Sequence, residues 1–137
     1  MNVKKVGNVI LAVKDLNKSV EFYHKILGMP IKNERRNWVD LGQQSGGVLS
    51  LHPSSITTAH TGTSKENGIL IGLTVGDLNS AMEELASANV TIFRDVQERQ
   101  AGKNAIILDP DGYMVSLFEP DFSDSKDKQT SGYVGFT

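Results

Sequence analysis

The chain carries three histidines and no cysteine, and that inventory bounds its chemistry. Without cysteine there is no disulfide, zinc–thiolate site, iron–sulfur cluster or thiol nucleophile. His52 is the one catalytic candidate. It stands in Ser50-Leu51-His52-Pro53, and residues two apart on a strand share a face. A serine and an imidazole so placed could pair as nucleophile and base, or His52 could take a proton from a carbon acid. No third, orienting group is evident, so the competing reading is a rim histidine making one hydrogen bond. His24, on a helix, and His60, in a linker, read as solvated. Trp38 is the sharpest binding candidate. On a sheet face its indole can stack on a planar ligand and keep its N–H for one polar contact; its plainer role is packing between layers. Arg35 and Arg36 precede it, as a solvated turn or as positive charge at a pocket mouth.

Other chemistries lack their motifs. There is no G-x-G-x-x-G, no Walker A string and no G-x-S-x-G elbow, so neither a standard phosphate cradle nor a hydrolase nucleophile turn is readable. Lys+Arg of 14 against Asp+Glu of 16 gives a net charge of -2. A dedicated nucleic-acid binder needs a basic surface, so that class is not expected. No apolar run approaches the about 20 residues that span a bilayer, and no secretion signal opens the chain, so a cytoplasmic location is expected. Two glycosylation-type strings, at Asn17 and Asn89, then read as chance.

The elements that must position these residues occur twice. Asn8-Val9-Ile10-Leu11-Ala12-Val13-Lys14-Asp15-Leu16 is echoed by Leu70-Ile71-Gly72-Leu73-Thr74-Val75-Gly76-Asp77-Leu78, 62 residues later. Each copy reads as a strand, a helix, then three strands. Asp15 and Asp77 sit where a carboxylate caps free amides of a first turn. Behind them run Leu16, Val20, Tyr23, Leu27 and Leu78, Ala81, Met82, Leu85, each spaced as one apolar helix face, and Gly28 stops the first. Further strands are expected over Met29–Glu34, Trp38–Leu41, Gly47–His52, Val90–Val96, Asn104–Leu108 and Tyr113–Glu119. Asp109-Pro110-Asp111-Gly112 between the last two suits a type I turn. Module 1 spans roughly residues 3–53 and module 2 roughly 68–120, within a single domain of 137 residues. A Ser/Thr/Gly-rich linker, 54–67, joins them. The tail, 121–137, is polar and charged; Ser123–Ser131 is expected to be mobile, and Tyr133-Val134-Gly135-Phe136 to dock on the body or on a partner chain.

A βαβββ unit used twice, with Asp-Leu opening each helix and Asp109-Pro110-Asp111-Gly112-Tyr113 before the last strand, resembles the vicinal oxygen chelate superfamily. This group includes glyoxalase I, extradiol dioxygenases, and the fosfomycin and bleomycin resistance proteins. The resemblance covers roughly Val6 to Pro120. It implies an α+β fold in which the two modules form an open, cupped mixed sheet around a pocket. The family's four metal-ligand positions fall here on Asn8, Ser50, Leu70 and Ser116. One amide, two hydroxyls and an alkyl group bring no charge to offset the dehydration of a dication. No metal or other cofactor is therefore expected. Glu119 fails on parity, lying three residues from Ser116 and so on the opposite face. Strand alternation then lines the cup with Asn8, Ile10, Ala12, Trp38, Asp40, Val48, Ser50, His52, Leu70, Gly72, Thr74, Met114, Ser116 and Phe118. Val9, Leu11 and Val13 turn to the helix. The lining is apolar and aromatic with a few hydrogen-bonding groups, which suits a small hydrophobic or aromatic ligand; its own side chains could equally fill it.

Three functions stay open. The first is a metal-free small-molecule-binding protein, for resistance or ligand sequestration. The bleomycin resistance branch implies a homodimer, but this chain lacks the acidity expected for gripping bleomycin itself. The second is an enzyme, of the lyase, isomerase, epimerase or dioxygenase kind, with a non-standard metal site or a base such as His52. The third is a closed-cup structural or regulatory dimer module.

Overall fold

The structure, a computed structural model, describes residues 1–53 and 69–121. The expected linker, His60 and nearly all of the tail, including Tyr133 to Phe136, lie outside the described residues. The described chain forms two compact units, one on each side of the linker.

In the first unit β1 (Val9–Val13) leads into α1 (Leu16–Val20), followed by β2 (Ile31–Arg35), β3 (Trp38–Leu41) and β4 (Leu49–Pro53). The sheet order is β1-β4-β3-β2, with β1 parallel to β4 and the other pairs antiparallel. The second unit repeats this plan with β5 (Ile71–Thr74), α2 (Leu78–Ser87), β6 (Ile92–Arg99), β7 (Gly102–Leu108) and β8 (Met114–Pro120). Its order is β5-β8-β7-β6, again with a parallel first pair. The internal repeat is thus a repeat of topology. The second copy's β6 and β7, of 8 and 7 residues, are longer than β2 and β3, of 5 and 4.

Both helix starts carry their expected caps. Asp15 Oδ1 accepts from the Lys18 amide at 3.2 Å, and Asp77 Oδ1 from the Ser80 amide at 3.1 Å. Glu119 adds a second acceptor to α2, its Oε1 taking the Leu78 amide at 2.8 Å. That contact fixes the faces of β8: Val115, Leu117 and Glu119 turn to the helix, and Met114, Ser116 and Phe118 turn away. The Asp109 turn closes as expected, the Gly112 amide donating to Asp109 O at 3.0 Å. Asp109 Oδ1 also gathers the amides of Asp111 and Tyr113, at 2.9 and 2.8 Å.

The first helix departs from its expected uniform course to Gly28. After Val20 it widens into a π-helical stretch, Glu21–Ile26, in which the Leu27 amide reaches the Phe22 carbonyl at 2.9 Å. Phe22 and Tyr23, neighbours in sequence, are both buried and meet edge to face at 4.9 Å. The α-helical stripe included Tyr23 and left Phe22 out; the widened turn accommodates both rings. Gly28, at φ 80, then ends the helix in the left-handed region.

The helix-facing strand residues make the core of each unit: Leu11, Val13, Val39, Leu41, Leu49 and Leu51 in the first, Ala105, Ile107, Val115 and Leu117 in the second. Burying each large side chain contributes about 1.5–3 kcal/mol. Val9, expected on this face, is 45% exposed.

Candidate functional site

The helix-free face of the first sheet carries a connected polar group. Register sets Ser50 opposite Ile10 on one side and opposite Asp40 on the other. The Asn8 Nδ2 donates to Ser50 Oγ at 2.8 Å, and Ser50 Oγ donates to Asp40 Oδ1 at 2.5 Å. Trp38 Nε1 donates to the same carboxylate oxygen at 2.8 Å. Asp40 therefore collects two donors on one atom. The Ser50 hydroxyl above all, with Trp38, Arg35 and Asn33, holds its carboxyl below the ordinary value of 3.8, against the opposing effect of burial. Asp40 is an anion at neutral pH.

Trp38 and His52 lie together on this face, ring centroids 5.7 Å apart and tilted by 43°. His52 is exposed, and its Nδ1 is 3.2 Å from the Asn37 carbonyl. A carbonyl only accepts, so this bond requires the proton on Nδ1 and leaves Nε2 as the acceptor of the neutral ring. Ser50 and His52 share the face as their spacing predicts, but the Ser50 proton goes to Asp40, not to the imidazole. The indole N–H, expected to await a ligand, is likewise already bound to Asp40. His24, expected to be solvated, is half-buried, with Nδ1 2.7 Å from Met29 O.

The second sheet answers with a different group. Ser116 occupies the place of Ser50, and its Oγ accepts from Asn104 Nδ2 at 3.1 Å. Asn104 Oδ1 in turn accepts from Arg94 Nη2 at 2.6 Å. Asn104 is fully buried and Ser116 nearly so. Phe118 and Met114, on the same face, are also buried; Leu70 is half-buried and Thr74 exposed. In the first unit Ile10 is exposed over half its surface.

Sequence reasoning did not give Asp40, Arg94 or Asn104 their roles. Asp40 had a signal, its two-residue spacing from Trp38. Asn104 and Arg94 had none, since their contact depends on cross-strand register.

These contacts bear, in each unit by itself, on the positions that the family resemblance implies for metal ligands. Asn8 and Ser50 are bonded to each other, and the Ser50 proton is committed to Asp40. Leu70 has no donor atom, and the Ser116 hydroxyl is engaged by Asn104. A dication would have to break this network for neutral oxygens, so the donor set does not suit one. Among the described residues no three His, Asp or Glu side chains group to hold a metal, and no helix is long and apolar enough to cross a membrane.

Known proteins resemble this chain over most of its length. A probable lactoylglutathione lyase of Vibrio parahaemolyticus is 27% identical over 130 residues, covering 87% of this chain and 93% of the relative. The glutathione transferase FosA of Serratia marcescens is 28% identical over 125 residues, covering 84% and 80%. Among solved structures, TnmS3, an antibiotic binding protein from Streptomyces sp. CB03234, superposes with a TM-score of 0.67 at 18% identity, covering 88% of this chain and 99% of that one. The model of one family matches residues 5–117, and with the repeated βαβββ topology it assigns the chain: this protein belongs to the Glyoxalase/Bleomycin resistance protein/Dioxygenase superfamily.

Proposed function

We propose that the protein binds a small hydrophobic or aromatic molecule without a metal ion, in a resistance or sequestration role. The observation that carries this reading is the bonding of Asn8 and Ser50 to each other and, through Ser50, to Asp40. Two family ligand positions are thereby committed to internal hydrogen bonds. What the face offers instead is the Trp38 ring beside His52, with Ile10 nearby in register. Asp40 anchors the indole edge, which orients the ring for stacking and leaves its polar atom satisfied. The antibiotic-binding fold relative supports the ligand class by analogy of fold alone.

The names of the curated relatives favour a second reading, a metal-dependent lyase or transferase with a non-standard site. On that reading Asp40, the anion next to Ser50, would be the residue to hold the ion. A thermal-shift screen of metal-depleted protein against neutral aromatic compounds separates the two. Stabilisation that disappears in Trp38→Ala, with the fold intact by circular dichroism, supports metal-free binding. Stabilisation only after a divalent metal is restored supports the enzyme.

A further inference from the structure

We infer that His52 selects the ligand of the first sheet: a neutral aromatic molecule carrying an O–H or N–H donor, which His52 Nε2 receives. The inference rests on the metal-free binding reading above and names the class of molecule bound there.

The selection is set by the main chain. Asn37 stands between β2 and β3 at φ 60, in the left-handed conformation that asparagine adopts more readily than most residues. From this turn its carbonyl oxygen lies 3.2 Å from His52 Nδ1, on β4. A carbonyl cannot donate, so the proton of the neutral imidazole sits on Nδ1 and the lone pair on Nε2. The tautomer thus depends on backbone, not on a side chain that could rotate away. His52 is exposed, and among the described residues no hydrogen bond reaches Nε2.

The neighbouring groups have already spent their protons. The Trp38 indole N–H goes to Asp40 at 2.8 Å, and the Ser50 hydroxyl donates to the same oxygen. What Trp38 keeps is its ring, with a centroid 5.7 Å from that of His52 and a tilt of 43°. Rings so inclined do not cover each other flat. Aromatic pairs form at centroid separations of about 4.5–7 Å, so one ligand can lie against the indole and bring a substituent to the imidazole edge. A ligand without a donor would strip water from Nε2 and leave it unpaired, which costs more than the bond itself contributes. Arg35 pairs with Trp38 in the β2–β3 register, and its charge acts on Asp40. A cationic ligand would meet that repulsion, which favours a neutral donor.

The test compares β-naphthol, its methyl ether and naphthalene on the full chain at about pH 7.5, where an ordinary imidazole is neutral. Affinity is read by calorimetry and the His52 ring nitrogens by NMR. Free protein should show Nδ1 protonated and Nε2 bare, with the Nε2 signal moving as β-naphthol saturates. One hydrogen bond should make β-naphthol bind about two- to tenfold more tightly than the other two. His52→Phe, which keeps a ring and loses the acceptor, should erase that preference. His52→Gln, whose amide oxygen accepts, should keep part of it. The position is exposed, so the fold is expected to tolerate both changes. Equal affinities in wild type, a preference that survives in His52→Phe, or the proton on Nε2 in free protein would each overturn the proposal. Naphthalene binding in those cases would leave the aromatic-site reading standing. If no compound binds, that reading falls and this one with it.

Discussion

The Ser50 hydroxyl donates to the Asp40 carboxylate at 2.5 Å while accepting from Asn8. A residue that the family resemblance sets at a metal-ligand position is here the centre of a hydrogen-bond chain. Ser50 is fully buried, so its truncation would leave a carboxylate and an amide without their partner. Ser50→Ala should lower the unfolding free energy by about 1–3 kcal/mol, measured by urea denaturation. A loss within error of zero would mean that water replaces the hydroxyl at no cost.

Acid should weaken this network with a definite sign. The folded-state pKa of Asp40 is depressed below its ordinary 3.8. Its contribution to stability is therefore complete above that value and is lost as the pH falls toward the folded-state value. Asp40→Asn has no carboxyl to protonate, so its stability should change less than that of wild type below about pH 4. Parallel curves for the two proteins would contradict the assignment.

Trp38 is the only tryptophan in the chain, which makes fluorescence a local probe. The loss of the indole–carboxylate bond in Asp40→Asn should shift its emission. A neutral aromatic ligand stacking on the ring should quench it, with a midpoint matching the thermal-shift titration. Thermal stabilisation without any change in Trp38 emission would place the ligand elsewhere.

Gly102 tests the geometry of the second sheet. At φ +155, a Cβ there would lie 2.1 Å from the Glu119 carbonyl oxygen and 3.0 Å from Phe118 Cζ. Neither backbone nor buried ring can yield easily. Gly102→Ala should cost at least about 3 kcal/mol, by the strain and overpacking that produce the largest mutational losses. A mild effect in thermal unfolding would show that β7 and β8 can separate at this end.

Much of the fold was legible because its signals are local. The Asp15 and Asp77 caps, the Asp109 turn and the parity of Glu119 depend on residues close in sequence, and the structure bears each of them out. What escaped depends on partners distant in sequence or on local irregularity. The π-helical turn that buries Phe22 beside Tyr23 interrupts an otherwise convincing α-helical period. The register shift of β6 between Arg94 and Gln97 appears only once β7 is laid alongside. At the site, the spacing of Trp38, Ser50 and His52 gave the shared face. That Asp40 takes both the indole and the hydroxyl protons required the cross-strand register.

The most direct measurement is the metal content and ligand response of protein purified without chelator. The hydrogen-bonded state of Asn8, Ser50 and Asp40 predicts well under one equivalent of any divalent metal, and stabilisation by a neutral aromatic compound that chelation leaves unchanged. About one equivalent of a tightly held divalent metal, with stabilisation abolished by chelation and restored by the ion, would contradict it.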